Sequence, residues 1–176
     1  MTIVGEPLMK TIKLPKHASF EIKLDGSVYD THKIRDNHIA YIENAREVIF
    51  SAATIDRMLK DYVTNFFVAD DGKKELFRGV VILSDSFSFR HATRAVREIL
   101  ESKGVEAKQV EDLEKLLFKV MDYRNALTHG HPFQKHDKFV CQYYKSKQRE
   151  DEINDAYWEA VENTFHRAFG LVEKLT

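Results

Sequence analysis

One cysteine, Cys141, is all the chain carries. It cannot form an internal disulfide, and such usage fits a reducing, cytoplasmic compartment. Long apolar runs are missing too. The longest, such as Val80-Val81-Ile82-Leu83, are far too short to span a bilayer, so no membrane partner is expected. The opening MTIVGEPLMK has no extended apolar core of the kind a secretory leader needs. Neither sign of charge is in excess. Lys and Arg number 27 against 28 Asp and Glu, a net charge of -1. Nothing therefore draws the whole molecule to nucleic acid or anionic lipid, and polyanion binding has to come from local clustering. Proline is scarce, with three in 176 residues, and neither proline nor glycine falls between Asp36 and Phe66. Internal repeats and low-complexity linkers are absent from the sequence. The length suits one domain with a sizeable core.

What is present divides at about residue 35. Before it, Ile12 and Leu14, then Phe20, Ile22 and Leu24, alternate with polar residues. Pro15 and Asp25-Gly26 act as turn signals, so residues 1–35 read as a β extension of two short strands. After it the period becomes helical. Ile39, Ile42, Ala45, Ile49, Ala52, Ile55, Leu59, Tyr62 and Phe66 recur every three or four residues, as on one long amphipathic helix. Further helices are expected at about 74–83, 89–102, 110–128 and 151–175, with Gly104 and Gly130 as stops. KFVCQYY at 138–144 is aromatic and β-branched and reads as a strand able to join the N-terminal pair. The expected architecture is mainly α over residues 36–176, with a small N-terminal β elaboration.

The helix at 110–128 contains a contradiction. With about 100° per residue and Leu113 at zero, Leu117 falls near about +40°, Val120 about -20°, Leu116 about -60° and Leu127 about -40°. Arg124 falls at about +20°, inside this apolar stripe. A buried guanidinium is costly unless partners satisfy it. Two readings follow. Arg124 forms a buried bridge to a carboxylate of the long helix, with Glu43, Glu47, Asp56 and Asp61 as candidates, or that end of the stripe faces a polar cavity or a second subunit.

The neighbours of Arg124 extend the second reading. Asn125 and His129 are four apart and share a face if the last turn stays helical. His129 precedes Gly130 at the helix C-terminus, where the macrodipole favours a charged imidazole. Histidine moves protons, arginine holds an anionic phosphate and asparagine orients either. The set suits acid–base work on a phosphodiester.

These residues carry a family resemblance. RNALTH, with Arg124, Asn125 and His129, resembles the R-x4–6-H motif of HEPN domains, including the polar residue after the arginine. Amphipathic helices precede it, DSFSFRHATRAVREIL is similar to the segment before the motif helix in stand-alone relatives, and a long helix follows. The resemblance covers about residues 36–176. It implies an up-and-down helical bundle that dimerises, with the motifs of two protomers facing across one cleft. It implies a metal-independent ribonuclease acting on single-stranded RNA without a cofactor, and leaving a cyclic phosphate and a 5′-hydroxyl. Toxin–antitoxin and defence roles go with it, as does pairing with an antitoxin or a nucleotidyltransferase-like partner. Members that have lost catalysis bind nucleotide, RNA or protein, which is the alternative reading of this chain.

Two other clusters remain. His129, His131 and His136, with Asp137 and Cys141 nearby, match no closed zinc spacing and read as loop histidines, so no metal is expected. Lys135, Lys138, Lys145 and Lys147, with Arg149 and the interleaved aromatics Phe139, Tyr143 and Tyr144, form a basic, aromatic stretch. It either contacts single-stranded RNA or protects a strand edge with lysines. Arg90, Arg94 and Arg97 can add phosphate contacts or be ordinary surface charge.

Overall fold

The unbroken stretch Thr31–Phe67 forms a single 37-residue helix, α1, about 55 Å long. A computed structural model describes residues 31–84, 86–145 and 147–175. The two strands expected within residues 12–24 lie outside the described residues. Residues 31–35, assigned from sequence to the β extension, are helical.

The buried row of α1 is Tyr41, Ala45, Val48, Ala52, Ile55, Leu59, Tyr62 and Val63. This corrects the expected face over its first half, where Ile39 and Ile42 are exposed and Ile49 is half-buried. Both rows are apolar, and periodicity alone does not choose between them. Contacts distant in sequence do: the Tyr41 ring meets Phe139 at 6.0 Å and Trp158 at 6.2 Å.

Asp70 caps the short α2 (Asp71–Phe77), its Oδ1 accepting from Gly72 N at 2.9 Å. The chain runs on into a π-helical turn, Arg78–Ile82, which buries Ile82. The Arg78 guanidinium pairs with Asp61 of α1 at 2.8 Å. α3 (Phe89–Ser102) follows the Ser88 cap and buries Ala92, Thr93, Val96, Ile99 and Leu100. It stops at Gly104, whose φ of 74° suits a residue without Cβ. α4 (Ala107–His129) buries Val110, Leu113, Leu116, Leu117 and Val120 along the expected stripe, then Ala126 and Leu127.

Three strands separate α4 from the last helix: β1 (His131–Lys135), β2 (Lys138–Tyr144) and β3 (Gln148–Glu152). They form an antiparallel meander in the order β1-β2-β3. β1 and β2 join through a tight turn in which His136 has φ 53°, and Phe133 lies opposite Val140. β2 was legible from composition; its partners are its sequence neighbours. His131 is thus a strand residue and His136 a turn residue, which corrects the reading of all three histidines as loop. Residues 151 and 152, expected to open the final helix, end β3 instead. α5 (Asp155–Val172) starts where Asn154 Oδ1 accepts from Tyr157 N at 3.0 Å.

The molecule is mainly helical, with this small sheet near its C-terminal end. Its core joins Ile55 and Leu59 of α1, Val96 of α3, Leu117 and Val120 of α4, and Ala168 and Val172 of α5. The sheet contributes Phe139 and Cys141 to the same core. Among the described residues, no helix is long and apolar enough to cross a membrane.

Candidate active site at the end of the fourth helix

α4 stays helical through His129, so Asn125 and His129 lie on one side of it, about 40° apart. The chain then turns sharply at Gly130. A Cβ there would collide with the Ala126 carbonyl and the Cys141 sulfur. Only glycine lets the strand leave the helix this close to β2.

Arg124 does not form the buried bridge. It is exposed, and its Nη1 donates to Asn125 Oδ1 at 2.9 Å. The acids proposed as partners are elsewhere: Asp56 pairs with Lys60 at 2.9 Å, Asp61 with Arg78, and Glu43 and Glu47 are exposed. Among the described residues no carboxylate comes within 4.0 Å of the Arg124 guanidinium.

The reason lies in where neighbouring elements end. α3 runs antiparallel to α4, with Arg97 bonded to Glu114 at 2.8 Å and Arg90 over the Phe118 ring at 5.8 Å. α3 begins at Phe89, so that register carries α4 beyond the end of α3 before Arg124 is reached. Meanwhile burial on α4 rotates toward the sheet and α5. The Ala126 carbonyl lies 3.7 Å from Cys141 Sγ, and the Tyr123 ring packs edge-on to Tyr157 at 5.8 Å. The apolar stripe of the wheel is correct at Leu113, Leu116, Leu117, Val120 and Leu127, and Arg124, on its other margin, stands where the cover by α3 has ended.

On the wheel Arg124 and His129 are about 140° apart. The bond to Asn125 narrows that gap, because it draws the guanidinium toward the side that Asn125 and His129 share. Thr128 Oγ1 donates to the Arg124 carbonyl at 2.7 Å and pins the same turn.

No family model, curated protein or solved structure matches the chain.

The basic stretch is largely engaged. Lys135 Nζ donates to Glu150 at 2.7 Å, Lys138 Nζ to Glu152 at 2.7 Å, and Lys145 pairs with Asp122 of α4. The Tyr143 hydroxyl donates to Asp151 at 2.9 Å, and burial beside that carboxylate pushes it up to about 12. Lys147 is exposed in the β2–β3 connection. On α3, Arg97 bridges Glu101 and Glu114, while Arg94 is exposed.

Two residues near this end were missed from sequence. His38 of α1 sets its ring edge-on to Phe139 at 4.9 Å. Burial, then the nearby His131, lowers its pKa. His131 itself is stacked with Phe133 at 6.1 Å. Tyr41 places its hydroxyl 3.3 Å from Cys141 Sγ. Burial pushes the Cys141 thiol up, and the side chain packs in the core. His38 and His131 are brought together only by the packing of α1 on β1, and no spacing in the sequence signals that. Among the described residues, no three His, Cys, Asp or Glu side chains converge to hold a metal ion.

Proposed function

We propose that the chain is a metal-independent endoribonuclease of HEPN type, acting on single-stranded RNA as a homodimer in the cytoplasm. The observation that carries this reading is the state of Arg124. Its guanidinium is exposed, lacks a carboxylate partner among the described residues, and is held by an amide beside a histidine. A fixed cation with most of its five N–H donors uncommitted is a receptor for a phosphate. In this reading Arg124 binds and neutralises the scissile phosphate, and Asn125 fixes the guanidinium. His129 moves the proton between the ribose 2′-hydroxyl and the leaving 5′-oxygen.

The angular gap between Arg124 and His129 also supports a dimer, because a second copy of the helix end would complete the set around one phosphodiester. Large exposed apolar side chains at the far end of α1 and beyond it, Phe66, Phe67, Leu76, Val80 and Leu83, offer further surface for association. Sedimentation at micromolar concentration tests this part: a species of only 20.5 kDa would rule out the composite site.

The alternative is a non-catalytic module that binds nucleotide, RNA or a protein partner such as an antitoxin or nucleotidyltransferase-like subunit. The pairing of Lys135, Lys138 and Lys145 with carboxylates favours its protein-binding form, since those cations are already neutralised locally and offer little to an RNA backbone. One experiment separates the two. Labelled single-stranded RNA is incubated with the protein in excess EDTA. Products ending in a cyclic phosphate support the ribonuclease. Intact RNA, or cleavage restored only by a divalent ion, overturns it.

A further inference from the structure

One side of α4 is covered by α3 along its first part and open along its second. With Leu113 at zero, Glu114, Phe118, Asn125 and His129 fall at about 100°, 140°, 120° and 160°, a single strip. α3 lies on this strip through the Arg97–Glu114 pair and through Arg90, whose guanidinium is 5.8 Å from the centre of the Phe118 ring. α3 begins at Phe89, and the strip runs on past that end to Asn125 and His129. Arg90 thus stands at the border of the open part. Its platform, Phe118, is about 10 Å along the helix from Asn125. Arg94 lies one turn further back on the same outer side of α3, about 6 Å away. Both arginines are exposed, and among the described residues neither has a carboxylate within 4.0 Å. Arg97, the next in the row, is committed to Glu101 and Glu114. Asp122, an acid on the same side of α4, is paired with Lys145.

We propose that Arg90 and Arg94 form a phosphate track, which holds the flank of an RNA single strand whose scissile phosphate sits at Arg124. This rests on the reading of Arg124, Asn125 and His129 as a phosphodiester site, and it sets the substrate class: a strand several nucleotides long, not a nucleotide or a dinucleotide. Three observations carry it. First, the two free arginines adjoin the strip of α4 that bears Asn125 and His129. Second, the spacing suits a strand. The intervals of about 10 Å to Arg90 and about 16 Å to Arg94 match roughly three and five phosphates of a stacked strand, at about 3.4 Å each. Third, the charge is available. The Phe118 ring holds the Arg90 guanidinium in place without a hydrogen bond, so its N–H donors stay open to phosphate oxygens. The sheet lysines Lys135, Lys138 and Lys145 are neutralised by carboxylates and offer no rival path. Neutralisation of Arg97 by two glutamates ends the track, so the footprint is short.

The test measures binding apart from cleavage. A fluorescein-labelled 2′-O-methyl decamer lacks the hydroxyl that attacks the phosphate, so the full chain binds it and leaves it whole. Its affinity is titrated over a series of salt concentrations. Arg90→Gln combined with Arg94→Gln should weaken binding by about tenfold and lower the salt slope by about 1.4, from two contacts at about 0.7 each on a single strand. Arg57→Gln removes an exposed arginine of α1 and should leave the slope unchanged; an equal fall there would make the effect one of general surface charge and overturn the track. Arg90→Lys with Arg94→Lys keeps both charges and should keep the slope. A slope lost in the lysine variant as well would assign these side chains to packing and overturn the proposal. An unchanged slope in the glutamine variant, or a decamer that does not bind, would overturn it too. Incubation of an unmodified decaribonucleotide in EDTA separates this inference from the ribonuclease reading. Intact RNA together with the expected fall in slope removes that reading and leaves the track. Cleavage together with an unchanged slope removes the track and leaves the reading.

Discussion

The Tyr41 hydroxyl stands 3.3 Å from the Cys141 sulfur and ties α1 to the middle strand of the sheet. Its ring does more than its hydroxyl, because it packs against both Phe139 and Trp158. Tyr41→Phe should therefore cost only about 0.5–1 kcal/mol, the net worth of a weak buried hydrogen bond. Tyr41→Ala should cost about 3–5 kcal/mol through the cavity. At about 2–4 °C per kcal/mol for a chain of this size, thermal melts separate the two variants clearly. Equal losses would mean that the hydroxyl, and not the ring, holds the contact.

Gly130→Ala should destabilise by about 1–3 kcal/mol. The new methyl meets the Ala126 carbonyl, which is backbone, and the Cys141 sulfur, which is a side chain. Only the second can be relieved by mutation. Cys141→Ala in the same chain should recover part of the loss and leave the carbonyl clash. A double-mutant cycle on melting midpoints measures the recovered part. Full additivity of the two substitutions would contradict this contact.

Much of the helical framework is legible locally. α3 is bounded by the Ser88 cap and by Gly104, and both signals are written in the sequence. β2 is legible from its aromatic and β-branched residues. β1 and β3 are not: HPFQK and QREDE lack an apolar alternation. What holds them is the backbone ladder each makes to β2, as at Phe133–Val140 and Gln142–Glu150, which their own side-chain pattern does not announce. The same limit explains the inner face of α1, where two apolar rows compete and only tertiary contacts choose. For the candidate site, the helical spacing of Asn125 and His129 could be read directly. The exposure of Arg124 could not, because it depends on where α3 ends.

His38 predicts an acid sensitivity. Its folded pKa is lowered, first by burial and then by His131. The unfolded chain therefore binds a proton more readily than the folded one. Stability from this group is complete above the unfolded value of about 6.5 and is lost as pH falls below it. Melting midpoints should decline through that window, and His38→Phe should flatten the decline. An unchanged slope in the variant would assign the acid sensitivity to other groups.

Exposure of Arg124 makes the catalytic proposal separable from stability. A buried, bridged arginine would leave a stranded carboxylate when removed, and the melting temperature would fall steeply. Arg124 is exposed and bonded to Asn125, so Arg124→Ala should shift stability by no more than about 0.5 kcal/mol. Cleavage and RNA affinity should both fall in that variant, because the phosphate loses its cation. Arg124→Lys should recover only part, since an ammonium lacks the planar fork that grips Asn125 and a phosphate together. His129→Ala should lower the cleavage rate by roughly a hundredfold or more while leaving RNA affinity nearly intact, as expected for a group that moves a proton. Asn125→Ala should behave like a weaker Arg124→Lys, because the guanidinium survives without its anchor. Melts, binding titrations and cleavage in EDTA on these variants give a pattern that a structural role cannot imitate. Wild-type cleavage by His129→Ala would end the assignment of that histidine, and an Arg124→Ala protein that melts far below wild type would return the arginine to a structural part.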